Sequence, residues 1–154
     1  MSKKTGEAVL SDLMFNGYRI REVEYKNHKT LRGATEYEIS FENTPFKLDE
    51  AKKTASLVLQ MKLKGSVGGD LTTEMSVTIE GKFSTDTMDI DSFLKTTLVS
   101  GMATLVTLLR SFVASFTSQT GYSPIILPLI NVQATIDKAT KNNSPDNSAR
   151  ESEE

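Results

Sequence analysis

The sequence predicts an α+β fold, in which a four-stranded antiparallel sheet packs with a long α-helix and a short C-terminal element. Four segments before residue 84 alternate apolar and polar side chains, which is typical of antiparallel strands covered on one face. After Thr87 the apolar residues recur at spacings of three and four, which indicates a helix. The 41 residues from Thr96 to Ile136 contain one charged residue, Arg110, so this region is predicted to be buried in a core, an interface or a contact with another apolar chain.

The first two predicted strands differ in regularity. Residues 18–26 alternate with one slip, because Ile20 and Val23 are an odd number of positions apart, and this predicts a β-bulge. Residues 35–41 alternate without a slip and place three apolar side chains on one face, those of Tyr37, Ile39 and Phe41.

The next two strands are predicted to form a β-hairpin. Residues 56–64 and 72–83 both alternate, and Gly68 and Gly69 lie between them, where a tight turn favours glycine. Gly81 in the second strand predicts a bulge or a bend.

The long helix is predicted to begin after an N-cap at Asp91 or Ser92 and to end at Gly121. Its apolar face is broad, so one side can cover the sheet while the rest requires burial elsewhere. Five residues of this face are therefore predicted to form core and subunit interface: Leu98, Leu105, Leu109, Phe112 and Phe116.

The helix is predicted to be followed by an extended apolar arm. Residues 123–130 contain Pro124 and Pro128, which a helix interior does not tolerate. The domain organisation is then a flexible lead-in over residues 1–12, a single domain over residues 13–136, and a disordered polar tail over residues 137–154.

Composition disfavours several classes of protein. The net charge of -2 and pI near 5.5 argue against nucleic-acid binding. The absence of cysteine and of a recognisable export signal predicts a cytoplasmic protein. Arg110 and the two prolines argue against a transmembrane span, so the protein is expected to be peripheral to a membrane at most.

The sequence predicts no catalytic residues, no metal site and no cofactor. His28 is predicted to be a solvated loop residue, because no other histidine or cysteine is present to share a metal or a reaction with it. Three aspartates, Asp86, Asp89 and Asp91, lack the glycine and the glutamate of a calcium loop and are predicted to form a polar turn with a helix cap. The predicted function is therefore to contact other molecules through apolar surface.

One stretch resembles a known family. Residues 105–132 run through a helix with an arginine, Gly121, Pro-apolar-Pro and Asn131, and this order resembles that of the SecB protein-export chaperones. The strand that ends Gly81-Lys82-Phe83 is similar to the family's strand ending in Gly-x-Phe, and the resemblance extends over roughly residues 18–136.

The resemblance implies an ATP-independent chaperone that forms a homotetramer, as a dimer of dimers, and keeps unfolded client polypeptides soluble. It implies protein export and translocation with the SecA motor as partner. Six residues are predicted to contact the client: Tyr37, Ile39, Phe41, Ile126, Leu127 and Leu129. A closed site for a small apolar ligand and a purely structural oligomer remain alternative predictions, and an enzyme is the least favoured class.

The sequence departs from the family pattern on the surface that docks SecA. Glu22 keeps one acidic position, whereas Lys26 and Ser76 occupy two others. The helix also lacks the proline, tyrosine and glutamate of the family's motif around Arg110. These departures leave a second prediction open, a SecB-like chaperone of a toxin–antitoxin system whose client is an antitoxin.

Overall fold

A computed structural model describes residues 10–43 and 47–142 of the chain. The chain divides between Thr97 and Leu98 into two compact units, and the single domain predicted over residues 13–136 stays a prediction. The strands are β1 (Met14–Asn27), β2 (Glu36–Asn43), β3 (Lys47–Asp49), β4 (Thr54–Val67) and β5 (Asp70–Ser84). The α-helices are α1 (Ile90–Thr96), α2 (Met102–Ser118) and α3 (Val132–Asn142).

The first unit contains an antiparallel sheet with the strand order β1-β5-β4-β2, and the short strand β3 also pairs with β4. The predicted α+β class and the four long strands are confirmed. The fifth strand, Lys47–Asp49, was missed because three residues are too few to show an alternating pattern.

The predicted bulge in β1 is confirmed. Ile20 pairs with Ile79 while Glu22 pairs with Thr78, so Arg21 is the extra residue that shifts the phase of the strand. Of the bulge or bend predicted at Gly81, the bulge is wrong, because the pairing with both neighbouring strands runs through Gly81 without a register shift. The nearby irregularity lies instead in β1, between Phe15 and Gly17.

The hairpin between β4 and β5 is confirmed. Gly68 and Gly69 connect the two strands with φ angles of 59° and 86°, in the left-handed region that glycine adopts without strain.

One face of the sheet is buried and carries the alternating apolar residues of β4 and β5. These side chains are at most 2% exposed, which is the burial expected of a core. They are Leu57, Leu59, Met61, Leu63, Met75, Val77, Ile79 and Phe83.

The opposite face of the sheet is charged, and Glu80 is the most tightly held acid on it. Ser56 donates its hydroxyl to Glu80 at 2.8 Å, and Arg19 donates from Nε to the other carboxylate oxygen at 2.7 Å. These hydrogen bonds, Ser56 first and Arg19 second, lower the pKa of Glu80 below its ordinary value of 4.5.

We expect Glu80→Gln to make the unfolding free energy less sensitive to acid. Because the pKa of Glu80 is lowered in the folded state, its contribution is fully present above about pH 5 and is lost as the pH falls through the folded pKa. Urea unfolding between pH 6 and pH 3 measures the slope. Lys62→Met removes a charge from the same face of the sheet and is expected to keep the native slope. An unchanged slope in Glu80→Gln would contradict the assignment.

Helix α1 begins earlier than predicted, because its N-cap lies two residues before Asp91. Asp89 is the N-cap, with φ of -69° and ψ of 161°, and its carboxylate accepts the Ser92 N–H at 3.2 Å. The pKa of Asp89 is lowered by these hydrogen bonds from Ser92. Asp91 and Ser92 therefore lie inside the helix. Within residues 10–43 and 47–142, no group of three acids or histidines could hold a metal ion.

The helical stretch Ile90–Ser118 contains one irregular turn. Residues 97–101 form a π-helical turn that ends at Gly101, a residue type that weakens a helix. By length and composition this 29-residue stretch is apolar enough to cross a membrane, a property it shares with the core helices of soluble proteins.

Helix α3 is longer than the predicted C-terminal element. Asn131 caps it by accepting the Ala134 N–H at 2.9 Å, and the helix continues to Asn142, past Asp137 where the sequence predicts the polar tail to begin. Residues 1–9 of the predicted lead-in and residues 143–154 of the predicted tail lie outside the described residues.

Candidate functional site

The first candidate surface is the β2 face, formed by Tyr37, Ile39 and Phe41. In the pairing of β2 with β4 these residues lie opposite Gly65, Leu63 and Met61, so they share the apolar side of the sheet. Tyr37 is 46% exposed, and Ile39 and Phe41 are half-buried. The sheet therefore carries accessible apolar surface along β2, whereas the apolar side chains of β4 beside it are buried.

A glycine fixes the position of the tyrosine ring. A Cβ added at Gly65 would lie 3.0 Å from Cε1 of Tyr37, so the ring packs against bare backbone. Thr72 donates its hydroxyl to the carbonyl of Gly65 at 3.1 Å and holds that backbone in place. Any larger side chain at position 65 would displace the ring of Tyr37.

Strand β2 also lies at one end of the strand order. A strand at an edge has backbone N–H and C=O groups along its outer side that a second extended chain can pair with. The β2 face is thus next to a polar backbone edge, a combination that suits an extended polypeptide better than a compact ligand.

The second candidate surface belongs to the second unit and is the arm, residues 123–130. Ile125 and Leu127 are 6% and 1% exposed, whereas Ile126 between them is 69% exposed and Leu129, beyond Pro128, is 86% exposed. The prediction that Leu127 contacts a client is wrong, because an extended chain points neighbouring side chains to opposite sides and Leu127 is on the buried side. Ile126 and Leu129 stay predicted contact residues.

Two side chains of α2 hold the arm. Thr117 is 1% exposed; its hydroxyl accepts the Ile125 N–H at 2.8 Å and donates to the Val113 carbonyl at 2.7 Å. Arg110 donates from Nε to the Leu127 carbonyl at 3.1 Å. The sequence analysis predicted neither contact: it assigned no partner to Arg110 and did not single out Thr117. The spacing of Leu109, Val113 and Thr117 by four places Thr117 on the buried side of the helix and is the signal that was available.

The predicted interface residues of the helix divide into two groups. Leu105 and Leu109 are 0% exposed, so of the predicted core and interface residues these two belong to the core and not to an interface. Leu98 is exposed, and Phe112 and Phe116 are half-buried with ring centroids 5.8 Å apart. These three stay predicted interface residues.

An exposed aromatic cluster lies on the first unit, where the sequence predicted only a polar lead-in and the start of a strand. Phe15 is 5.4 Å from Phe83 and 6.2 Å from Tyr18, measured between ring centroids. The cluster was missed because β1 begins at Met14, four residues before the first regular alternation.

The charged face of the sheet is nearly balanced in charge. Adjacent strands place Lys26, Glu74, Lys64 and Glu38 in one row, so that charges of opposite sign alternate across the sheet. His28 is an exposed loop residue, as predicted, and its Nε2 lies 2.8 Å from Oε2 of Glu74. This hydrogen bond is the largest cause of the lowered pKa of Glu74. Glu22, Lys26 and Ser76 line a shallow depression on this face together with other acids and lysines.

The fold defined by this sheet and helix is that of the SecB-like chaperones. The structure of the Mycobacterium tuberculosis Rv1957 SecB-like chaperone, in complex with a ChAD peptide from the Rv1956 HigA1 antitoxin, matches it with a TM-score of 0.67 at 13% sequence identity. The match covers 78% of this chain and 91% of that chain, and it confirms the predicted resemblance at the level of the fold.

A protein of unknown function from Streptococcus agalactiae is also similar, with a TM-score of 0.39 at 12% identity, over 79% of this chain and 100% of that chain. No protein-family model matches the sequence, and no curated protein matches it.

Proposed function

We propose that this protein is a SecB-like chaperone that binds extended apolar segments of unfolded polypeptides on the β2 face and the arm. The observation that carries the proposal is the accessible apolar surface of β2, on a fold shared with a chaperone whose structure contains a bound peptide. Several accessible apolar side chains, rather than one closed pocket, suit clients of many sequences.

Binding is driven by removal of apolar side chains from water. Each Å² of buried apolar surface contributes about 25 cal/mol, so a few leucine-sized contacts suffice for micromolar affinity once the cost of ordering the client is met. This mechanism requires no nucleotide. We propose that the protein acts in the cytoplasm without ATP and, following the resemblance, as a homotetramer.

The preferred client class is an antitoxin rather than cargo for export by SecA. The charged face of the sheet alternates acids and bases around Lys26 and Ser76, so it lacks the broad acidic potential that a basic docking partner would recognise. The structural neighbour contains an antitoxin peptide. Cargo handed to SecA for export is the second candidate.

The test mixes the protein with a chemically unfolded, aggregation-prone client and follows light scattering without nucleotide. We expect suppression at a near-stoichiometric ratio of chaperone to client, and a stable complex in size-exclusion chromatography with light scattering. Unchanged aggregation at a tenfold excess would overturn the chaperone function. A monomer that binds a small apolar dye in a closed site, and suppresses nothing, would favour the ligand-binding alternative.

A further inference from the structure

We propose that Thr117 and Arg110 are positioning residues that determine which side chains of the arm face a client. The inference rests on the proposed function, because it concerns how the arm presents Ile126. It assigns a role to two polar side chains on an otherwise apolar helix face.

The two hydrogen bonds fasten the arm at alternate residues. Thr117 accepts from the N–H of Ile125 and Arg110 donates to the carbonyl of Leu127. Thr117 is seven residues after Arg110 on α2, whereas Ile125 precedes Leu127, so the arm runs antiparallel to the helix. Two attachment points fix the rotation of the arm about its own axis, which one attachment would leave free.

The rotation determines which side chains are exposed. In an extended chain, residues two apart lie on the same side. Fastening residues 125 and 127 to the helix buries Ile125 and Leu127 at 6% and 1% exposure and leaves Ile126 at 69%. A half-turn of the arm would exchange these two sets and bury the residue that we propose as a client contact.

The prolines stiffen the arm but do not select its rotation. Pro128 restricts its own φ and disfavours a helical conformation at Leu127, which keeps that part of the chain extended. An extended chain can still lie on α2 with either side inward, since Ile126 and Leu127 are both apolar. The polar contacts of Thr117 and Arg110 therefore specify an orientation that hydrophobicity alone does not.

The test compares five variants of the full chain: Thr117→Val, Thr117→Ser, Arg110→Met, Ile126→Ser with Leu129→Ser, and this double variant with Thr117→Val added. The probe is a fluorescently labelled, reduced and carboxymethylated α-lactalbumin, which stays unfolded, and its dissociation constant is measured by anisotropy. Hydrogen exchange of the Ile125 amide and the thermal midpoint are measured on the same samples.

We expect Thr117→Val and Arg110→Met each to weaken probe binding about threefold to tenfold, the effect of one lost hydrogen bond. Thr117→Val should also speed exchange of the Ile125 amide at least tenfold, and Thr117→Ser, which keeps the hydroxyl, should restore both values to within about twofold. Adding Thr117→Val to the Ile126→Ser, Leu129→Ser variant should weaken binding no further, because Thr117 acts only through those side chains.

The outcomes separate the two proposals. If the serine variant weakens binding but Thr117→Val and Arg110→Met do not, the positioning role is overturned and the proposed function stands. If the serine variant binds like the native protein, the arm is not a client surface and both this inference and that part of the proposed function fail. Should Thr117→Val not fold, Arg110→Met, at a part-exposed position, decides the question alone.

Discussion

Replacing both Ile126 and Leu129 with serine is expected to weaken client binding by roughly two orders of magnitude without destabilising the fold. Each side chain contributes about 1.5 kcal/mol when it is buried by a client, and 1.4 kcal/mol corresponds to a tenfold change in affinity. Both side chains are largely exposed in the free chain, so their loss removes little packing. Anisotropy titration with an unfolded client measures the affinity, and urea unfolding verifies the fold.

Leu10 supplies a matched control for this prediction. It is 90% exposed and lies outside both the β2 face and the arm, so Leu10→Ser removes similar apolar surface elsewhere. Its affinity is expected to stay within about twofold of the native value, since isolated exposed apolar residues are common on protein surfaces. Equal losses in Leu10→Ser and in the arm variant would mean that the client binds any exposed leucine and that the arm has no special role.

Replacing Leu59 with alanine is expected to lower the free energy of unfolding by about 2–5 kcal/mol. Leu59 is 1% exposed in β4, where it pairs with Ile79 of β5. Truncation leaves a cavity between side chains that cannot collapse into it, because the pairing on both sides of β4 fixes the backbone. Urea denaturation followed by circular dichroism gives the difference in free energy.

Lys62 is the control on the same strand. It lies on the opposite face of β4, and its only described ion pair is a 3.8 Å contact with Glu42 between exposed side chains. Such a pair contributes little, so Lys62→Ala is expected to change stability by less than about 1 kcal/mol. A large loss in Lys62→Ala, or a small one in Leu59→Ala, would show that the two faces of β4 have been assigned the wrong way round.

Alternation predicted the sheet well because it reports directly on which side of a strand is buried. The slip between Ile20 and Val23 revealed the bulge at Arg21, and the two glycines at positions 68 and 69 revealed the hairpin. Strand β3 was missed because Lys47–Asp49 pairs with β4 through its backbone, and backbone pairing leaves no pattern in three residues.

The candidate site was predicted less completely, because its residues are distinguished by exposure rather than by type. Leu127 and Leu129 are both leucines in the arm, but only Leu129 is exposed. Leu127 lies in the part of the arm that Thr117 and Arg110 hold, and the partners of these two residues lie 8 and 17 residues further along the chain. Hydrophobic periodicity shows which positions of a helix or strand share a face. It does not show which side chain forms a hydrogen bond with a distant backbone group.

The strand order has a consequence for how the chain is made. Strand β1 pairs with β5, and the paired residues are between 46 and 70 positions apart in the chain. At a translation rate of about 5–20 residues per second, β1 leaves the ribosome roughly 2–14 seconds before its partner exists. During that interval Ile20, Val23 and the aromatic residues near Met14 have no sheet to pack on. The protein is proposed to bind the apolar side chains of unfolded polypeptides. During its own synthesis its β1 strand thus exposes apolar side chains in the same way.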